Sequence, residues 1–139
     1  MIATTYEWGK REGLMRFRLL FAVIAAASPA SAAGMPTHVG QCTLSAVEKV
    51  ETRLMGGPGQ TVPGSGSAID FTNGGSQVSY EQMSAIDRSR PGDRVRICLI
   101  SIPENCPPGD NRGRMYRTTN LRTHGSWTLP DSEHLCGGA

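Results

Sequence analysis

Two stretches in the C-terminal third gather side chains able to hold an ion. His124, Asp131, Glu133 and His134 bring imidazole and carboxylate close together in sequence. Both are suitable donors for a divalent metal, and the D-x-x-H spacing allows one ion to be shared, so His124, Asp131 and His134 are the candidate metal ligands. The simpler reading is structural: Asp131-Ser132 after Pro130 makes a turn, and His134 packs beside Cys136. Upstream, C-P-P-G-D-N-R-G-R sets Asp110, Arg112 and Arg114 among Gly109 and Gly113. A guanidinium is shaped for bidentate contact with carboxylate or phosphate, and glycine lets backbone N–H groups approach, so the three form a candidate anion clamp. An internal ion pair between Asp110 and one arginine, fixing the loop, is the simpler alternative.

Other chemistries have little support. There is no G-x-S-x-G, no P-loop, and no G-x-G-x-x-G after a strand. The order of Ser, His and Asp along a chain says nothing by itself about a nucleophile. No cofactor is implied, and a non-enzymatic role is the expectation. Arg94 and Arg96 alternate on one strand face, the wet side of a sheet bonded to facing acids such as Asp70. Trp127 and Tyr116 read as stacked core aromatics rather than as an open platform for a sugar or peptide.

The cysteines carry the strongest compositional signal. Cys42, Cys98, Cys106 and Cys136 make an even count in a short chain, which reads as two disulfides with three connectivities open. The favoured pairing is Cys98–Cys106, closing a small loop, with Cys42–Cys136 joining the two ends. Zinc binding would call for tighter pairs such as C-x2-C, and there are none.

Oxidised cysteines agree with what precedes them. Met15-Arg16-Phe17-Arg18 is basic, Leu19–Ala27 is apolar, and Ala30-Ser31-Ala32 is a small-x-small exit. Together these describe a secretory signal peptide over residues 15–32, too short in its apolar run for a permanent transmembrane anchor. Residues 1–14 fit neither leader nor core and read as an upstream extension. The whole chain of 139 residues has 14 Lys+Arg against 12 Asp+Glu. Residues 33–139 alone carry ten of each, so the basic excess belongs to the leader. That balance argues against a nucleic-acid partner, which would require cations to neutralise phosphates.

Residues 33–139 must position all of these groups, and they read as one small β domain. Gln41–Leu54 is read as a strand over a helix, with the even positions Cys42, Leu44, Ala46, Val50 and Leu54 on one face. Met55–Ser67 is a Gly/Pro loop. Ala68–Thr72 and Gln77–Tyr80 flank Asn73-Gly74-Gly75 as a hairpin, with Ile69 and Phe71 facing one way and Val78 and Tyr80 sharing a face on the partner. Glu81–Ser89 holds a short helical turn with Met83 and Ile86. Arg94–Ile102 is the most strand-like segment: Val95, Ile97 and Leu99 point one way, Arg94, Arg96, Cys98 and Ile100 the other. Met115–Leu121 and Ser126–Leu129 form a last hairpin, followed by a tail tethered through Cys136. Five to six short strands and two disulfides predict a mainly β fold, a small barrel or sandwich.

Several segments also resemble, as a set, a family of small exported bacterial proteins with no assigned activity. They are G-S-A-I-D-F-T-N-G-G-S-Q-V-S-Y (Gly66–Tyr80), S-R-P-G-D-R-V-R-I-C-L, I-P-E-N-C-P-P-G-D-N-R-G-R-M-Y, T-N-L-R-T and S-W-T-L-P-D-S-E-H-L-C-G-G-A. The resemblance implies export and a compact disulfide-linked fold, and it brings no catalytic residue. The function expected from all this is a periplasmic or secreted binding or accessory module for a protein or envelope component. The alternative is a metal- or small-anion-binding protein using the tail acids and histidines or the arginine loop.

Overall fold

The computed structural model describes residues 33–138 and the isolated Gly9. The leader (residues 15–32) and, apart from Gly9, the upstream extension (1–14) lie outside the described residues. The domain is mainly β. Its strands are β1 (Cys42–Thr52), β2 (Met55–Gly57), β3 (Gln60–Thr61), β4 (Ser67–Phe71), β5 (Ser76–Ser79), β6 (Arg94–Ser101), β7 (Met115–Asn120) and β8 (Ser126–Pro130). A single helical turn, α1 (Ser84–Asp87), separates β5 from β6. Six strands form one antiparallel sheet in the order β5-β4-β1-β6-β7-β8, curled into a half-barrel. The loop expected at Met55–Ser67 contains a small two-stranded ribbon, β2-β3, beside it.

β1 is long because it serves two neighbours. Its first half pairs with β6, from Cys42↔Cys98 to Ala46↔Arg94, and its second half with β4. Between the pairs Val47↔Phe71 and Lys49↔Asp70 the register shifts, leaving Glu48 as an extra residue. Such a bulge reverses which positions face the core. Val47 is therefore buried with the odd positions before the bulge, and Val50 packs on the core after it. The single even-numbered stripe read from the sequence fails for this reason, and Leu44 is 52% exposed.

The core is small. Val47, Ile69, Phe71, Ile86, Val95, Ile97, Leu99, Tyr116 and Trp127 fill the concave side, so both aromatics are core residues as expected. Ile86 from α1 closes one end. The Ser67 hydroxyl holds that turn in place, accepting from Met83 N and donating to Asp87 Oδ1 (both 2.9 Å). Polar residues complete the interior: Gln77, Thr118 and Asn120 are all buried.

Gln77 corrects the reading of the β4–β5 hairpin. The turn at Asn73-Gly74 forms, with Gly74 at φ +83°, but Gln77 and Ser79 face inward while Tyr80 is 58% exposed. Inside, the Gln77 amide uses all of its bonding capacity. Its Nε2 donates to the carbonyls of Tyr116 (2.8 Å) and Leu129 (3.0 Å), and its Oε1 accepts from Thr118 Oγ1 (2.6 Å) and Trp127 Nε1 (2.8 Å). These bonds run from β5 to β7 and β8, so one side chain ties the two margins of the curled sheet together. A buried amide is tolerated in such a place only when it is fully paired.

Both disulfides form, but with different partners from those expected. Cys42 bonds Cys98, and Cys106 bonds Cys136, replacing Cys98–Cys106 and Cys42–Cys136. The sheet order gives the reason: β1 lies directly beside β6, so Cys42 and Cys98 are cross-strand partners with Cα atoms 4.0 Å apart. Cys106, in the proline loop after β6, meets the tail instead, with Cα atoms 5.3 Å apart. With sequence separations of 56 and 30, each closure contributes roughly 4 kcal/mol on the chain-entropy model, which helps to offset a lean core.

Candidate functional site

The candidate clamp and the candidate metal-binding tail lie against each other as one unit. The loop Pro103–Arg114 and the tail after β8 are joined by Cys106–Cys136 and by a set of short polar bonds. Arg112 grips Asp110 with both prongs of its guanidinium, Nε to Oδ1 at 2.9 Å and Nη2 to Oδ2 at 2.8 Å. The carboxylate also accepts from Gly137 N (3.0 Å) in the tail. Arg112 beside it, then these N–H groups, hold the Asp110 carboxyl well below the usual carboxylate range. Asp131 Oδ1 accepts from Gly113 N at 2.8 Å, and Cys136 N donates to Arg112 O at 3.2 Å. Leu135 lies over Gly113, where an added Cβ would stand 2.8 Å from Leu135 Cδ2.

Most of the singled-out acids are thus engaged inside the protein. Glu133 lies 3.8 Å from Arg53, whose guanidinium also covers the Tyr80 ring at 4.3 Å from its centroid. His134 is exposed, and His124 sits in the β7–β8 turn at φ 58°. Gly125 and the five residues of β8, the strand alone roughly 17 Å of extended chain, separate His124 from Asp131, so His124, Asp131 and His134 are not brought together. Among the described residues no group of three or more His, Cys, Asp or Glu is placed to hold a metal ion. Of the clamp residues, Arg114 alone lacks a carboxylate partner, reaching Asn111 Oδ1 at 3.5 Å.

A second polar cluster, not anticipated from sequence, organises the opposite end of β7. Asp93, buried in the turn before β6, accepts from Arg122 through both carboxylate oxygens, from Asn120 Nδ2 (2.8 Å) and from Arg90 N (2.9 Å). Arg122 above all, helped by Asn120 and the Arg90 N–H, keeps the Asp93 carboxyl far below its ordinary pKa despite burial. Asn120 Oδ1 in turn accepts from Arg122 N (2.9 Å) and Thr123 N (3.1 Å), shaping the turn. The signal was present in sequence: Asn120 has the inward parity of Tyr116 and Thr118, and a polar residue there must find partners.

The network fixes the rim of a groove of about 530 Å3 lined by Asp87, Arg88, Arg90, Arg122 and Thr123. The described ion pairs are Lys49–Glu51, Arg53–Glu133, Arg112–Asp110 and Arg122–Asp93. Arg88, Arg90, Arg94, Arg96 and Arg117 take part in none of them, and all five are exposed. Asp70, expected to face Arg94 and Arg96, lies instead on β4 opposite Lys49, because β1 intervenes between β4 and β6. There burial, then the neighbouring Glu51, pushes its carboxyl pKa up. The domain therefore has separated charge, acidic around β1–β4 and basic around β6–β7.

Comparison with protein families, curated proteins and solved structures finds no match for the chain. No helix among the described residues is long and apolar enough to cross a membrane.

Proposed function

We propose that the protein is an exported, non-enzymatic binding module that docks a protein or envelope component in the periplasm or outside the cell. Membership of the small exported family that its segments resemble is part of this proposal, as is cleavage of the leader after Ala32. The reading is carried by one observation: a domain linked by two disulfides exposes five arginines, three on its sheet (Arg94, Arg96, Arg117) and two just before β6 (Arg88, Arg90), that no described carboxylate pairs with. An unpaired guanidinium on a rigid strand loses little entropy when it meets a partner's carboxylate. The loop–tail unit supports the same reading, because Asp110, Arg112 and Asp131 are spent on holding the fold.

The test is affinity capture from an extracytoplasmic extract with the oxidised protein as bait. A stoichiometric protein partner, released by raised salt, is the expected result. Recovery of the bait alone under the same conditions, in extracts of the cells that make it, would refute the reading.

A further inference from the structure

We infer that the outer face of β6–β7, centred on Arg96 and Arg117, is the docking surface, and that its partner is an acidic folded protein. The inference rests on the binding-module reading and assigns its surface. Because Val95, Ile97 and Leu99 point into the core, Arg94, Arg96, Cys98 and Ile100 point outward. Register sets Leu44 of β1 across from Arg96 on one side and Thr119 of β7 on the other, while Arg117 stands across from Cys98. Arg94, Arg96 and Arg117 thus crowd a small area of stiff sheet.

No carboxylate stands among them on these strands. β6, β7 and β8 contain no Asp or Glu, nor does β1 from Cys42 to Val47. Neighbouring like charges on a sheet face are unfavourable, and such a cluster fits a surface that supplies the missing carboxylates. Arg88 and Arg90 carry the positive band on to the groove beside Arg122.

Apolar exposure selects the kind of acidic partner. Leu44 is 52% and Ile100 45% exposed on this same face, next to the Cys42–Cys98 bridge. A flexible polyanion would use the arginines and leave both aliphatic chains wet. A folded protein with an apolar spot ringed by carboxylates would bury them and pair the arginines at once, the usual arrangement of an interface centre and rim.

The experiment uses two readouts on the oxidised protein and on Arg117→Glu, Lys49→Glu and Leu44→Ser, each first shown to melt within about 3 °C of wild type, a shift worth under ~1 kcal/mol. The defined probe is fluorescent poly-L-glutamate at low salt, read by anisotropy. Arg117→Glu and Lys49→Glu change net charge equally, but only the former touches the face. It should weaken binding about tenfold, against less than about twofold for Lys49→Glu. In capture from the extract, Arg117→Glu and Leu44→Ser should both lose a partner of acidic pI that Lys49→Glu keeps.

Equal weakening by Arg117→Glu and Lys49→Glu would overturn the assignment. So would capture of a second copy of this chain, or of a polyanion insensitive to Leu44→Ser. The two failures separate. Absence of any partner refutes the binding-module reading, whereas capture that survives both Arg117→Glu and Leu44→Ser keeps that reading and removes this face.

Discussion

Replacing Gln77 with leucine is the sharpest test of how the half-barrel is held closed. The side chain is 1% exposed, and leucine, though one atom shorter and branched at Cγ, is an apolar side chain of comparable volume, so the change in packing is smaller than the change in polarity. What changes is the polar account. Trp127 Nε1 and Thr118 Oγ1 lose their acceptor, and two carbonyls lose a donor across the β5–β8 margin. An orphaned buried donor costs about 1–3 kcal/mol, so the two donors together predict a loss of roughly 3 kcal/mol. For a domain near 100 residues that corresponds to a fall in Tm of roughly 12–24 °C. Urea denaturation of the oxidised protein measures it directly. Adding Trp127→Phe removes one orphaned donor, so Gln77→Leu/Trp127→Phe should be more stable than the two single losses summed, by at least about 1 kcal/mol. A Gln77→Leu cost below about 1 kcal/mol, or strict additivity with Trp127→Phe, would refute the account of Gln77 as the clasp.

Three further outcomes follow from the structure. Asp93→Asn should cost roughly 2 kcal/mol at pH 7, since it removes the acceptor that Arg122 and Asn120 share. The folded Asp93 pKa lies well below the unfolded value of about 3.9, so its contribution is full above that pH, shrinks as pH falls below it, and is lost only as pH falls through the folded value. Thermal melts from pH 7 down to about 2.5 should then show the gap between wild type and Asp93→Asn narrowing below pH ~4. Gly66→Ala should destabilise by more than about 2 kcal/mol, because Gly66 has φ +113° and an added Cβ would meet Ser79 O at 2.0 Å; chemical denaturation will show it. Non-reducing mapping with trypsin and a Glu-specific protease, which cuts at Glu104 between Cys98 and Cys106, should recover Cys42 linked to Cys98 and Cys106 linked to Cys136, and a Cys98–Cys106 link would contradict the sheet order.

What the sequence made legible was set by local physics. Alternation in Arg94–Ile102, the Asn73-Gly74 turn and the final hairpin were all readable because neighbouring residues decide them. The bulge at Glu48 was not, because a register shift depends on two strands at once, and it reversed the inward face of β1. The inward turn of Gln77 was not legible beside Val78 and Tyr80, because two distant strands, β7 and β8, supply its bonds. The disulfide pairing failed for a related reason: proximity in sequence favoured Cys98–Cys106, while sheet order put β1 beside β6. Of the candidate residues, Asp110 and Arg112 are joined in the internal pair named as the simpler alternative. The unpaired arginines were visible as letters, but their clustering depends on a topology in which Asp70 is screened off by β1.

The most direct measurement of the central claim is site-specific photo-crosslinking in the producing cell. One crosslinking residue replaces Thr128, exposed on β8 across from Arg117, and another replaces Ser76, exposed on β5 across from Asp70. The account predicts one acidic protein crosslinked from position 128 and nothing comparable from position 76. Crosslinks from position 76 alone, or equal yields from both, would contradict it.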